Sequence, residues 1–294
     1  MTVAVYLPLL FCAGLAGLAG PVARRVPPGW GLWSLTFSAV SGALGAAWSL
    51  CLLAGMLIDD LPIGRRLPGL VPVPDAVSLL ALAALVAAGV RVTAAMRSRA
   101  REQAALSGFA RTADDIIIGE DDRADAFAVP ARGWLGRGPG KVVVTTGLLR
   151  LLTPAQQRAL FAHEHAHLSG HHAAARTATS LAAAALPPLI PVRAAVSFLC
   201  ERQADEAAAT ATGDRRLVAK TIATAALARS SGRGAPLALH RLAVIDRVAA
   251  LLGERPHPRG WQLIVLATMV AAMMAGVLEA TGDSAAIALS LLHS

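Results

Sequence analysis

Histidines are concentrated in one short stretch of this 294-residue chain, where five of the eight lie between positions 163 and 172. The stretch contains His163-Glu164-His165-Ala166-His167, an H-E-x-x-H sequence. Residues four apart lie on the same face of a helix, so His163 and His167 can direct their imidazoles at one metal ion. Glu164, about 100° further round the helix, can reach a water at an open position of that ion and act as a general base. The spacing predicts a hydrolytic metal site; the alternative is a surface helix that happens to be rich in histidine.

The residues around this stretch predict a helix that presents it. Thr153 is a good N-cap, Pro154 suits the first helical position, and Gln156 completes a capping box. Positions 155–168 contain no helix breaker, and Gly170 is a natural stop. We therefore expect one helix from about residue 155 to residue 168.

The remaining three histidines of the stretch are not expected to bind the metal. His165 should face away from the ion, toward the surface or a substrate cleft. His171 and His172 lie beyond Gly170, and we expect them in solvated positions at the C-terminal end of the helix, where a cation is favourable.

Hydropathy indicates an integral membrane protein. Apolar residues make up 55% of the chain and the mean hydropathy is +0.56, values that soluble domains rarely reach. Four apolar runs are long enough to cross a bilayer, at about 3–22, 33–58, 75–96 and 261–278. They divide the chain into three transmembrane helices in 1–96, a water-soluble domain in 97–260, and a final helix with a short tail in 261–294. Cys12, Cys51 and Cys200 lie in or beside apolar stretches and are expected to be small buried hydrophobes without disulfides.

Arginines predict which side of the membrane the soluble domain faces. Three arginines follow the third apolar run closely, and Arg24 and Arg25 follow the first. Basic residues beside membrane helices favour the cytoplasmic side, so we expect residues 97–260 in the cytoplasm and both termini outside. The net charge of +8 does not indicate direct nucleic-acid binding, because no basic patch is interleaved with aromatic residues.

A small β-sheet is predicted between the third apolar run and the metal helix. Three short β-type runs, 114–118, 126–129 and 141–146, are separated by turns rich in glycine and aspartate. We expect this sheet to pack against the metal helix. A strand edge beside the metal would be suited to bind an extended peptide by main-chain pairing.

The apolar segment 177–200 is interrupted by three prolines, and the acidic Glu201 follows it directly. If Glu201 is the third metal ligand, a single membrane crossing would separate it from His163 and His167. The segment must then return to the same side as a broken, re-entrant or protein-packed helical pair, because backbone breaks at membrane depth need protein cover.

The order of these motifs resembles a known family. Gly140–Leu149, Leu152-Thr153-Pro154, the 161–168 helix and Glu201-x-x-x-Asp205 follow one another. They resemble the membrane zinc metallopeptidases of the BlaR/MecR type, especially short actinobacterial members, and more distantly the HtpX-type peptidases. The resemblance covers roughly residues 97–252. It implies a mainly α-helical integral membrane protein with a zincin-like (gluzincin) α+β metallopeptidase domain.

The resemblance also implies roles for individual residues. His163, His167 and Glu201 would bind one Zn²⁺ per chain and leave a fourth position for water, as in catalytic zinc sites. Glu164 would be the catalytic general base. Asp205 would orient a ligand histidine from behind. For Glu201 and Asp205 the alternative is a solvated pair of acidic residues one helical turn apart.

These features predict a zinc-dependent endopeptidase in the cytoplasmic membrane that cuts a protein or peptide substrate on the cytoplasmic side, with a transcriptional repressor as one candidate. Two alternatives stay open: an HtpX-like quality-control protease, and a non-catalytic membrane signalling or scaffold protein with a structural metal site. A homo-oligomer is also open. The signalling members of the family carry an external penicillin-binding domain after the last span, whereas this chain ends shortly after Glu279, so we do not expect β-lactam sensing.

Overall fold

Three long apolar helices dominate the N-terminal part of the computed structural model, which describes residues 3–58, 74–106, 115–130, 140–230, 237–254 and 260–292. They are α1 (Leu7–Arg25), α2 (Pro28–Gly55) and α3 (Asp75–Ala105). Each is long and apolar enough to cross a membrane, α1 together with the short 3₁₀ turn before it. The chain is therefore a membrane protein with at least these three candidate spans.

The helices differ in their bounds from the predicted runs. Helix α3 continues nine residues beyond the expected end at position 96, into the segment expected to be soluble. The Arg, Glu, Gln and Ala residues in this extension are good helix formers. The apolar run therefore ends where polar residues begin, but the helix continues. The predicted fourth span lies in α10 (Gly260–Leu292), whose described apolar part, Ile264–Glu279, is shorter than a typical crossing. The fourth crossing stays a prediction.

The segment interrupted by prolines forms a pair of helices. Helix α6 (His172–Ala185) leads into a 3₁₀ turn at Pro187–Leu189, and α7 (Ile190–Thr212) leads back. Prolines lack the amide hydrogen that would continue α6, and they suit the first turn of the next helix. Arg91 of α3 donates hydrogen bonds to the last carbonyls of α6, on Ala184 and Ala185.

This helix pair packs against the candidate spans. Its buried apolar side chains share one hydrophobic core with α1, α2 and α10. At the far end of the pair, Arg202 of α7 is buried and donates to the carbonyl of Ala23, near the C-terminal end of α1. The start of α6 lies beside this part of α7, since His172 bonds Gln203 and Arg176 binds Glu201; entry of the turn into a bilayer stays a prediction.

A three-stranded sheet lies next to the metal helix. Strands β1 (Ile116–Gly119), β2 (Ala126–Val129) and β3 (Lys141–Thr145) are arranged in the order β1-β3-β2. β1 pairs in parallel with β3, and β2 pairs antiparallel to it. The first predicted run began at Asp114, which lies outside the described residues. Within the described sheet, β2 is an edge strand.

The metal helix is α5 (Pro154–Ser169), preceded by the short helix α4 (Thr146–Leu151). Thr153 and Gln156 form the predicted capping box, with both reciprocal hydrogen bonds present. Leu160 of α5 packs on the sheet, and Ala159 packs toward α7 and α8 (Arg215–Ser230). The last helix of the domain is α9 (Leu237–Leu252), which contacts α7 and α8. The metal helix is thus held between the sheet and helices α6, α7 and α8.

Candidate metal centre

The H-E-x-x-H residues line a cavity of about 470 Å³. The cavity wall is formed by the C-terminal part of α3, strand β2, and helices α5 to α9. His163, Glu164 and His167 contribute from α5, and Glu201 contributes from α7. Residues that are 34 or more positions apart in sequence therefore meet at one cleft.

The three predicted ligands lie close together. The Nε2 atoms of His163 and His167 are 3.2 Å apart. Glu201 Oε2 is 3.7 Å from His163 Nε2, and Glu201 Oε1 is 3.6 Å from His167 Nε2. The donor atoms of the three side chains all lie within 4.8 Å of one another, and this is the one group of metal-ligating residues found among the described residues.

This spacing fits a zinc ion. Zinc binds imidazole nitrogen and carboxylate oxygen at about 2.0–2.2 Å in tetrahedral geometry, which separates neighbouring ligand atoms by roughly 3.3–3.6 Å. The distance of 3.2 Å between the two histidine Nε2 atoms is close to that range, and each of these nitrogens has a different oxygen of Glu201 at 3.6 or 3.7 Å. Two imidazoles and one carboxylate are the ligand set of catalytic zinc sites that keep a fourth position for water. His163, His167 and Glu201 could therefore hold the ion.

Glu164 is buried beside the two histidines and lines the same cavity. Because it neighbours His163 on α5, its carboxylate lies off the axis that joins the two ligand imidazoles. Its role as a general base stays a prediction.

Asp205 supports the first histidine from behind. Its Oδ1 atom lies 3.0 Å from His163 Nδ1, and its side chain is 3% exposed. Burial alone would lower the pKa of His163, but contacts with Asp205 and Glu201 raise it to about 9. Burial also acts to raise the pKa of Asp205, and hydrogen bonding from Arg247 outweighs this effect and lowers it. A charged Asp205 suits a carboxylate that orients a ligand histidine.

Two arginines that the sequence analysis did not single out neutralise the carboxylates. Arg247 of α9 binds Asp205 through two hydrogen bonds of 2.8 and 2.7 Å, and its Nη1 lies 2.9 Å from Glu201 Oε2. Arg176 of α6 binds Glu201 Oε1. Burial acts to raise the pKa of Glu201, but contact with His163 and the charge of Arg247 hold it well below its ordinary value. Glu201 is thus ionised, with each of its two oxygens paired with an arginine.

The expectation for His172 is wrong. The sequence placed it in solvent, but its side chain is 1% exposed and lies behind His167, with the two Nδ1 atoms 2.8 Å apart. Burial, the largest effect, lowers the pKa of His172 to about 4, so its imidazole is neutral. His165 and His171 are exposed, as expected. The solvated alternative for Glu201 and Asp205 is also wrong, since Asp205 is buried and Glu201 is partly buried.

Local sequence signals could not have found the additional site residues. His172 is two residues beyond a predicted helix stop, and Arg247 lies 42 positions from Asp205 in a helix that also carries Arg241. The one available hint was the number of histidines clustered between positions 163 and 172.

One family model matches the part of the chain that contains the metal helix. Residues 91–197 match the family model of Peptidase family M48. The matched region contains the metal helix and ends before Glu201, and it covers about a third of the chain. No curated protein and no solved structure matches. The match does not separate the BlaR/MecR type from the HtpX type. The matched region is therefore similar to this family of metallopeptidases, and the chain also carries three helices that are long and apolar enough to cross a membrane.

Proposed function

We propose that this protein is a zinc-dependent endopeptidase of the cytoplasmic membrane that cleaves a protein substrate on the cytoplasmic side. The observation that carries the proposal is that the potential ligand atoms of His163, His167 and Glu201 lie within 4.8 Å of one another, with Glu164 buried in the same cleft. A purely structural zinc site would close its fourth position and would need no Glu164.

The residues of the cleft supply the remaining chemistry. Zinc, when bound, polarises the scissile carbonyl and makes the attacking water more acidic. Glu164 takes the proton from that water and later delivers it to the leaving amine. Asp205 keeps the His163 ring in place from behind. Arg247 contacts Glu201 and Asp205 on α7 and so holds these two carboxylates in place relative to each other.

Strand β2 is suited to bind the substrate backbone. Ala126, Phe127 and Ala128 line the cavity beside the metal helix. β2 is the edge of the described sheet on this side, so an extended peptide can add to it through main-chain hydrogen bonds. Because such pairing reads the backbone, it suits an endopeptidase that accepts varied side chains.

Basic residues support a cytoplasmic active site. Arg99, near the C-terminal end of α3, donates to the carbonyl of Ala173 at the start of α6, close to the metal helix. Arg202, one residue after Glu201, binds the end of α1 next to Arg24 and Arg25. The metal site therefore lies at the arginine-bearing ends of α1 and α3, and basic ends favour the cytoplasm. By the family resemblance, the substrate is a cytosolic protein such as a transcriptional repressor.

Peptidase assays with a Glu164→Gln variant test the proposal. Wild-type protein, purified in detergent with about one zinc per chain, is expected to cleave an unfolded protein such as casein. Glu164→Gln should keep its zinc and lose about 10²–10⁴-fold in rate, because general acid–base catalysis is lost. The control Glu120→Gln changes an exposed carboxylate outside the cleft and should leave the rate unchanged. Full activity in Glu164→Gln would refute the proposed catalytic role.

A further inference from the structure

The chain turns sharply between the metal helix and α6. Helix α5 ends at Ser169, and two residues later His171 has φ of 53°. This left-handed conformation is uncommon for residues other than glycine, and His171 is the one non-glycine residue with positive φ in the described part of the chain. The turn directs the next residue, His172, back toward the metal helix.

Gly170 leaves the space that the His172 ring occupies. A Cβ atom at position 170 would lie 2.6 Å from His172 Nε2 and 2.9 Å from the carbonyl oxygen of Ala166. Both distances are shorter than van der Waals contact, so a larger residue would displace the ring or the backbone. The glycine and the left-handed residue after it together make room for the buried ring of His172.

Two hydrogen bonds hold the buried ring of His172. Its Nδ1 lies 2.8 Å from His167 Nδ1, and its Nε2 lies 3.3 Å from Gln203 Oε1. The two imidazole planes are nearly perpendicular, at 83°, with ring centres 4.8 Å apart. His172 thus connects a metal ligand of α5 to a side chain of α7.

The Gln203 oxygen determines which nitrogen donates and which accepts in the hydrogen bonds that join His167, His172 and Gln203. An amide oxygen only accepts, so His172 Nε2 carries the hydrogen that Gln203 Oε1 receives. In a neutral imidazole the other nitrogen then has a free lone pair, and His172 Nδ1 accepts from His167 Nδ1. His167 Nε2 is left with a lone pair, and this is the atom that lies 3.2 Å from His163 Nε2. The reverse arrangement would put a hydrogen on His167 Nε2 and block coordination.

We propose that His172, held by Gln203, is a positioning residue that keeps His167 in the orientation and tautomer required to bind zinc through Nε2. The inference rests on the proposed function and extends it to a residue outside the H-E-x-x-H sequence. The two ligand histidines are supported differently: His163 by the carboxylate of Asp205, and His167 by a neutral imidazole. Groups that hold metal ligands from behind typically contribute 10–100-fold to metal affinity.

Zinc affinity of the full-length protein tests this inference. The dissociation constant is measured in detergent by competition with a chelating dye. His172→Leu removes the acceptor and should weaken zinc binding about 10–100-fold. His172→Asn places an amide oxygen close to the position of Nδ1 and should restore affinity to within about threefold of wild type. His165→Leu removes an exposed histidine from the same helix region and should have no effect.

Each outcome decides for or against the role of His172. Zinc binding by His172→Leu that equals wild type would overturn the inference. It would also be overturned if His172→Asn bound zinc as weakly as His172→Leu while both variants melted like wild type. If His172→Leu does not fold, Gln203→Leu is measured instead, and unchanged affinity there would overturn the inference. Wild-type protein that binds no zinc would overturn the proposed function as well, so the two failures are distinguishable.

Discussion

Replacing Arg247 by methionine should strongly destabilise the metal-free protein. The guanidinium makes two hydrogen bonds to Asp205 and one close ionic contact with Glu201, at 2.7–2.9 Å. The arginine and Asp205 side chains are only 12% and 3% exposed. Removing one partner of a buried ion pair costs roughly 3–5 kcal/mol, because the other charge is left uncompensated. Asp205 keeps its contact with His163, so we expect the lower end, about 3 kcal/mol.

Unfolding of the chelator-treated protein by guanidinium chloride, in detergent, measures this loss of stability. The matched control is Arg150→Met, whose ion pair with Asp122 has the same type of partners but side chains that are 73% and 92% exposed. That control should cost less than about 1 kcal/mol, as exposed ion pairs usually do.

A double variant checks the stated cause. If the cost of Arg247→Met comes from the unpaired charge on Asp205, adding Asp205→Asn should cost less in that background than in wild type. The coupling between the two sites should be at least about 1 kcal/mol. A loss below about 0.5 kcal/mol for Arg247→Met, or strictly additive effects of the two substitutions, would refute the reasoning.

Three further predictions concern the metal helix, the helical bundle and pH. Thr153→Ala removes the N-cap of α5 and should lower the free energy of unfolding by about 1 kcal/mol, measured by denaturant titration; no change would contradict the capping role. Gly42→Ala should cost roughly 1–3 kcal/mol, because its Cβ would lie 2.8 Å from Phe11, whereas Gly17→Ala meets nothing within 4 Å and should be nearly neutral in the same titration. Burial acts to lower the pKa of His163 in the metal-free protein, but contacts with two carboxylates outweigh it and raise the pKa from 6.5 to about 9. This protonation stabilises the metal-free fold fully below about pH 6.5 and is lost as the pH rises through about 9. Zinc must displace that proton, so apparent affinity in chelator competition should fall about tenfold per pH unit below 9, and a pH-independent affinity between 7 and 8.5 would contradict the raised pKa.

The metal helix was predictable because its signals are local. The capping box, the proline at the first position and the spacing of the ligands all lie within residues 153–170. Each acts through contacts between near neighbours in the chain. The prolines at 187 and 188 acted in the same way for the turn between α6 and α7.

The support of the site was not predictable because it depends on distant contacts. Arg247 reaches Asp205 across 42 positions, and nothing in the sequence distinguishes it from Arg241, the other arginine of its helix. His172 was assigned to solvent because Gly170 predicted an ordinary helix end. The left-handed conformation of His171 instead turned the chain inward.

The end of α3 was predicted wrongly because hydropathy and helix propensity change at different positions in the chain. The apolar run that predicts α3 ends near position 96, but the polar residues that follow are compatible with a helix, and α3 continues to Ala105. This extension matters for function because Arg99 and Glu102 lie on it and line the cavity.

The zinc content of purified protein tests the three-ligand site most directly. Elemental analysis compares wild type with Glu201→Gln and with Glu206→Gln, a matched change on the same helix whose carboxylate pairs with Arg215. We predict about one zinc per chain in wild type and in Glu206→Gln, and a large loss in Glu201→Gln, because catalytic zinc sites need three protein ligands. Unchanged zinc in Glu201→Gln would place the third ligand elsewhere and contradict the site described above.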